Sequence, residues 1–325
     1  MKRKIALVCA AAMALSLAAC GSTTSSSEST AASDSTASDS TASESTAASD
    51  AADSAEADSA EADAAGSDFD ATQAINVITR EEGSGTRSAF VELTGVEDDS
   101  GDRTTQGAAT QNSTNGVMTT VANDVTAIGY ISLGSLDESV KAVSVGGVAA
   151  SADTVKDGTY TLSRPFNIVT NGEATDPVAV DFIGFCMGAD GQALATEEGY
   201  IGTDGAEAFT STQPSGNITV GGSSSVSPLM EKLIEAYGEV NPNATIELMT
   251  TDSTTGVTGA MDGTYTIGMA SRELSEDEQG QGATATVLAL DGIAVVVNPA
   301  NPVSDMTTEQ ICSIYLGETT TWDQL

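Results

Sequence analysis

From Asn76 onward, short apolar or β-branched runs alternate with segments of helical period, and the junctions between them are turns rich in glycine and hydroxyls. The first junction, Asn76 to Arg87, passes from a strand pattern through Glu82-Gly83-Ser84-Gly85-Thr86 into a helix. Two glycines allow close approach of a ligand to the backbone, and Ser84 and Thr86 bring hydroxyls. The free N–H groups of the following helix point at the same spot. Arg80, at the carboxyl end of the strand, adds a two-pronged charged donor suited to phosphate, sulfate or carboxylate. The same stretch also reads as an ordinary strand-to-helix turn with a Ser/Thr cap and a surface arginine.

The alternation continues. Helices are expected over 113–121, 151–155, 178–187, 191–198, 229–237 and 307–315. Strands are expected over 127–132, 140–145, 164–170 with Pro165 at an edge, 218–220, 245–249, 265–269, 286–290 and 293–298. Apolar strands interleaved with helices predict an α/β fold whose parallel or mixed sheets are covered on both faces. Residues 204–217, rich in Gly, Pro, Ser and Thr, form the clearest internal break. In such sheets ligands sit beyond the carboxyl ends of strands. Hydroxyl-bearing turns occupy that place three times, at 83–86, 223–225 and 253–256. Together with Arg80 and Arg272 they read as donors converging on a tetrahedral oxyanion, although any one alone is an ordinary helix cap.

The first 70 residues lie outside this pattern. Lys2, Arg3 and Lys4 precede an apolar run over 5–15, and Leu17-Ala18-Ala19-Cys20-Gly21 closes it as a lipobox. Residues 1–19 are expected to be removed as a lipoprotein signal peptide, leaving Cys20 lipidated at the extracytoplasmic face of a cell membrane. A plain secretory signal or a short membrane anchor is the other reading. Residues 20–70 are almost entirely Ser, Ala, Thr, Asp and Glu. This composition cannot bury enough apolar surface to offset ordering, so it predicts a disordered acidic spacer with a coil span on the order of 40 Å. A glycosylated stalk would have the same composition.

Of the 325 residues, 11 are Lys or Arg and 47 are Asp or Glu, a net charge of −36 that leaves no basic footprint for nucleic acid. Histidine is absent, which removes Ser-His-Asp and Cys-His catalysis and most zinc and haem sites. No metal or cofactor is expected. A serine hydrolase built on Ser84 would need a lysine base, and after the signal only Lys141, Lys156 and Lys232 occur, none beside a Gly/Ser turn. No Gly-x-x-x-x-Gly-Lys-Ser/Thr loop is present, so ATP hydrolysis is not expected either. Cys186 and Cys312 sit in apolar helical patterns and read as buried thiols rather than a disulfide.

Five segments carry a resemblance. Arg-Glu-Glu-Gly-Ser-Gly-Thr-Arg (80–87), Ala-Ile-Gly-Tyr-Ile-Ser (127–132), Gly-Ser-Ser-Ser-Val-Ser-Pro-Leu (222–229), Ile-Gly-Met-Ala-Ser-Arg (267–272) and Asp-Gly-Ile-Ala-Val-Val-Val-Asn (291–298) resemble the phosphate-binding proteins that serve ABC transporters. These are the PstS-like members of the periplasmic-binding-protein type II family, and the likeness covers about residues 75–325. It implies two α/β lobes joined by a hinge and closing on inorganic phosphate, a monomer, and delivery to ABC permease subunits. The implied ligands are Arg80, Ser84, Gly85 and Thr86 from one lobe and Ser224, Ser225 and Thr254 from the other, with Ser253 in place of Thr254 if the turn is offset by one. Arg272 stands where well-studied members carry an acid that accepts the ligand's proton; Glu82 or Asp252 would then supply the acceptor. That exchange leaves sulfate, molybdate and a sensing role open. The family usually begins with the Gly-Ser-Ser-Ser lobe, which here comes second. The resemblance therefore implies a circular permutant, with Leu325 near Ile75, a first lobe of 75–170 plus 299–325 and a second of 171–298. A truncated tandem pair is the other reading of this order.

Overall fold

The computed structural model describes residues 69–325; the signal segment, Cys20 and the spacer to 68 lie outside the described residues. In chain order the elements begin β1 (Asn76–Arg80), α1 (Gly85–Thr94), β2 (Glu97–Asp98), β3 (Gly101–Asp102), β4 (Ala109–Gln111), α2 (Thr114–Ala122), β5 (Ala127–Ser132), β6 (Lys141–Val145), α3 (Ala152–Lys156) and β7 (Ser163–Asn171). They continue α4 (Pro177–Met187), α5 (Ala189–Glu197), β8 (Gly216–Ser223), α6 (Ser227–Val240), β9 (Ala244–Thr251), α7 (Ser253–Asp262) and β10 (Ile267–Ala270). The chain closes with α8 (Glu276–Gly280), β11 (Ala283–Val297), β12 (Asp305–Met306) and α9 (Thr308–Leu316). This is the expected α/β alternation. Most helices start where a short polar side chain caps free N–H groups: Ser84, Ser113, Ser151, Asp176, Asp252, Ser275 and Thr307 all do so.

A continuous mixed sheet of ten strands runs β4-β1-β5-β11-β7-β10-β8-β9, with β6 bridging β11 and β12. Its centre departs from the sequence pattern. Residues 286–290 and 293–298 read as two strands parted by Asp291-Gly292, yet β11 is one strand of 15 residues that crosses this point unbroken. Its first part, to Gly292, pairs with β7, and from Ile293 it pairs with β5 and β6. Asp-Gly signals a turn only when nothing else holds the backbone extended, and here β7 does. Pro165 lies where β7 has β11 as its neighbour and before β10 joins at Asn167, so its missing N–H interrupts no central ladder.

The apolar core follows this crossing. Leu288 and Ala289 pack with Phe166, Ile168, Phe182 and Leu233, whereas Ile293, Val295 and Val297 pack with Val77, Phe90, Tyr130 and Tyr315. Sequence reading divided the halves at 170/171 and 298/299; the packing places all of β7 from Phe166 with the second half and β11 from Ile293 with the first. The two crossings thus fall next to Arg164 and Asp291. The terminal segments of the described chain meet. Ile75 N–H donates to the Thr320 carbonyl at 2.8 Å, Asp323 N–H to that of Ala71 at 2.8 Å, and Phe69 stands edge-on to Trp322 at 6.1 Å.

The break at 204–217 is irregular but not loose. Asp181, buried on α4, accepts from the Ser211 hydroxyl, from Thr212 N–H at 2.8 Å and from the Tyr237 hydroxyl of α6 at 2.8 Å. Burial pushes its carboxyl up, but these donors together outweigh it and hold it below the ordinary value. A folded carboxyl that is more acidic than the unfolded one contributes its full stability above the unfolded value of about 3.9, and loses it as pH falls through the folded value. Asp181→Asn is expected to cost about 1–3 kcal/mol at neutral pH. The gap from wild type should narrow toward pH ~3 in denaturant titrations, and a gap constant across that range would refute this account.

Candidate functional site

Where the two halves face each other, their hydroxyl-rich turns converge. β1 ends in Arg80, and its backbone is held from behind by the aromatic core. The Tyr130 hydroxyl accepts the Arg80 N–H at 3.1 Å and bonds the Thr79 hydroxyl at 2.9 Å, while Tyr130 stacks on Phe90 at 3.9 Å. The guanidinium, 2% exposed, donates Nε and Nη2 to the two carboxylate oxygens of Glu81 at 2.8 and 2.7 Å. Nη2 also reaches across to Ser224 Oγ at 3.1 Å. Its Nη1 is buried with no partner. A buried guanidinium nitrogen carries N–H donors whose loss of water costs free energy unless something accepts them.

The neighbouring hydroxyls are arranged to add to that donor. Ser84 caps α1 by accepting the Arg87 N–H at 3.3 Å, which leaves its own proton to give, and the first N–H groups of α1 lack intrahelical acceptors. Ser224 accepts from Arg80 and so keeps its proton too. Thr86 Oγ1 meets Ser225 Oγ at 2.9 Å, and Thr114 Oγ1 meets the same oxygen at 3.2 Å. On the far side Ser223 donates to Ser271 at 2.9 Å, and Ser253 accepts the Ser271 N–H at 3.0 Å. The loops touch directly: Thr254 N–H donates to the Gly83 carbonyl at 3.1 Å. Gly85 is required for this approach, because a Cβ there would stand 2.4 Å from Ser253 Oγ and 2.8 Å from Ser271 Oγ. Beside Ser224, a cavity of about 180 Å³ lined by Ser113, Thr114, Ser135, Ser227 and Glu231 opens toward solvent.

A second buried arginine belongs to the cluster. Arg164 donates to Asp291 Oδ2 through Nη2 at 3.0 Å and Nε at 3.3 Å, and its Nη1 lies 3.5 Å from Ser271 Oγ. Asp291 Oδ1 accepts from Ser132 at 2.9 Å. Burial pushes the Asp291 carboxyl up and the Arg164 guanidinium down; each opposes the other's shift, and the guanidinium keeps its charge. Both arginines are thus neutralised by their own carboxylates. What the cluster offers is not net positive charge but dry, inward donors.

The structure therefore brings together Arg80, Ser84, Gly85, Thr86, Ser224, Ser225 and Ser253. Of the two offset alternatives, Ser253 is the buried one; Thr254 is exposed, giving its N–H to Gly83 and accepting Arg272 Nη2 on its hydroxyl at 3.4 Å. Arg272 does not join. It forms a two-pronged pair with Glu278 at 2.8 Å and donates to the Glu273 carbonyl, because α8, absent from the sequence reading, places a carboxylate beside it. Glu82 is exposed; Glu81, one residue earlier, is the carboxylate on Arg80. Asp252 spends both oxygens on Thr255 at the start of α7. Sequence reading missed Thr114, Ser271, Arg164 and Asp291. The last two carried a signal, since a charged residue inside an otherwise apolar strand must find a partner when buried. Lys156 pairs with Asp204 and Lys141 donates to the Asn301 carbonyl, so neither neighbours Ser84. Cys186 and Cys312 are free thiols.

The profile of the PBP superfamily domain matches residues 48–190 and 207–325. The phosphate-binding protein PstS 2 of Streptococcus agalactiae serotype V is 48% identical over 256 residues, spanning 77% of this chain and 87% of that protein. Its counterpart in Streptococcus pneumoniae serotype 4 is 46% identical over 261 residues, spanning 78% and 89%. Among solved structures, the phosphate-binding protein of a phosphate ABC transporter from Streptococcus pneumoniae TIGR4 is similar with a TM-score of 0.63 and 46% identity, over 77% of this chain and 99% of that one. A superfamily match over most of the length, with relatives near half identical across the same region, places the chain among the PstS-like phosphate-binding proteins of the PBP superfamily.

Proposed function

We propose that this chain captures inorganic phosphate between its two halves at the extracytoplasmic face of the membrane, tethered through lipid on Cys20, and passes it to the permease subunits of an ABC importer without chemistry. The observation that carries the reading is Arg80 Nη1, a buried charged donor with no acceptor, on a guanidinium whose Nη2 already reaches Ser224 of the other half. A tetrahedral oxyanion supplies the missing acceptors. Desolvating one is costly, and charge-assisted hydrogen bonds of about 1.5–3 kcal/mol each must outweigh that cost and the cost of association. Arg80, Ser84 and Thr86 lie on one half and Ser224, Ser225 and Ser253 on the other, so neither side alone brings enough donors. Occupancy is thereby coupled to closure about the crossings of β7 and β11. The names of the relatives point to phosphate among the oxyanions. We read the chain as a monomer, and its order as a circular permutation that leaves the first lobe discontinuous.

The test is isothermal titration of the mature chain with phosphate, sulfate and molybdate at two pH values. One-to-one phosphate binding, with weaker or no heat from the other two, is expected. No heat from any of the three would overturn the reading.

A further inference from the structure

Arg164 and Asp291 occupy the two strand crossings, and both side chains are 1% exposed. A buried ion pair is not in itself a good source of stability, since apolar residues of similar volume often do as well. This one touches the site. Arg164 Nη1 lies 3.5 Å from Ser271 Oγ, which also accepts the Ser223 hydroxyl at 2.9 Å. With two donors on its oxygen, the Ser271 proton turns to Ser253 Oγ, 3.3 Å away. Ser253 Oγ already accepts the Ser271 N–H at 3.0 Å. With its lone pairs so engaged, the Ser253 hydroxyl directs its proton away from Ser271, toward the loop at Gly85. A row of hydroxyls unconstrained in rotation would present lone pairs or protons with equal ease. A fixed cation at one end decides the direction of the whole row.

We propose that Arg164, held in place by Asp291, is a positioning residue of the phosphate site: it orients the Ser271–Ser253 hydroxyl row so that Ser253 meets the ligand as a donor. This rests on the phosphate reading above. Ser132 fixes the other Asp291 oxygen from the first half, so the row's orientation is anchored at the pivot rather than in either moving loop.

The test is a double-mutant cycle read by calorimetric titration with inorganic phosphate, with thermal melting as the check on folding. The uncharged pair Arg164→Gln/Asp291→Asn removes the cation without leaving a lone buried charge. It is expected to weaken phosphate binding about tenfold, as is Ser253→Ala alone, and the combined protein should be little weaker than either. If the uncharged pair does not fold, Arg164→Lys keeps the charge and shortens the reach; its loss of affinity should vanish in a Ser271→Ala background. Losses that multiply in the combined proteins, or an uncharged pair that binds within about twofold of wild type, would overturn the proposal. Wild-type titration separates the two levels: absence of phosphate binding there defeats the functional reading and this one with it, whereas normal wild-type binding with multiplying losses defeats only the role of Arg164.

Discussion

Arg80→Ala is expected to bind inorganic phosphate roughly two to three orders of magnitude more weakly than the wild-type chain while remaining folded. The size of the loss follows from what else is available. Arg87 spends its guanidinium on the Arg80 carbonyl at 2.8 Å and on Asp102 at 2.7 Å, Arg164 is committed to Asp291, and Arg272 to Glu278. Among the described residues no other cation is placed to take over the unpartnered Nη1. Removal also releases the Glu81 carboxylate, which then faces the incoming anion as an unscreened like charge. Folding should survive, because the Glu81 side chain is 22% exposed and water can solvate it, unlike Asp291 after loss of Arg164. Arg80→Lys should recover only part of the affinity, since an ammonium holds the charge but not the fork that serves Glu81, Ser224 and the ligand at once. Titration of both variants, with circular dichroism melts, decides the matter. Phosphate affinity unchanged in the alanine variant would remove the central support for the site.

The course of the fold was legible in the alternation of apolar runs and capped helices, because both signals are local. What escaped was set by neighbours distant in sequence. Asp291-Gly292 reads as a turn in isolation, and only pairing with β7 and an ion pair to Arg164 make it the middle of a strand. Ser253 and Thr254 are equivalent as hydroxyls. Burial separates them, through the close approach of Gly85, which no local pattern records. Glu81 and Glu82 both follow β1 directly, and which of them meets the guanidinium is set by the turn that leaves the strand. Part of the acidic composition has a local structural use. Asp70, Asp98, Asp102, Asp124, Asp137 and Asp157 each accept the N–H and hydroxyl of a Ser or Thr two residues on, so Asp-x-Ser/Thr in this chain is a turn signal. The separate arrival of Arg80, Ser224 and Ser253 at one place is the part that only tertiary structure could show.

Gly85→Val is expected to abolish phosphate binding by a different route, leaving every donor in place and preventing the halves from meeting. Gly85 opens α1 in ordinary right-handed geometry, so a side chain there carries no backbone strain. Replacing glycine in a helix by a residue of better propensity changes stability by less than about 1 kcal/mol, in the favourable direction. The obstacle is across the cleft. The first carbon added would sit 2.4 Å from Ser253 Oγ, 2.8 Å from Ser271 Oγ and 3.0 Å from Ser253 Cβ, and valine adds two methyls beyond it. Swinging the two hydroxyls aside would break the bonds between Ser253 and Ser271. Moving the backbone would break the Thr254 to Gly83 bond and separate Thr86 from Ser225 and Arg80 from Ser224. The wedge therefore holds the protein open with its melting temperature in the absence of phosphate intact or raised. Small-angle scattering gives the discriminating readout: the wild-type radius of gyration should contract on addition of phosphate, and that of Gly85→Val should not. A variant that binds and contracts normally would show that the two loops need not touch for capture, and that the direct contacts between them are incidental to it.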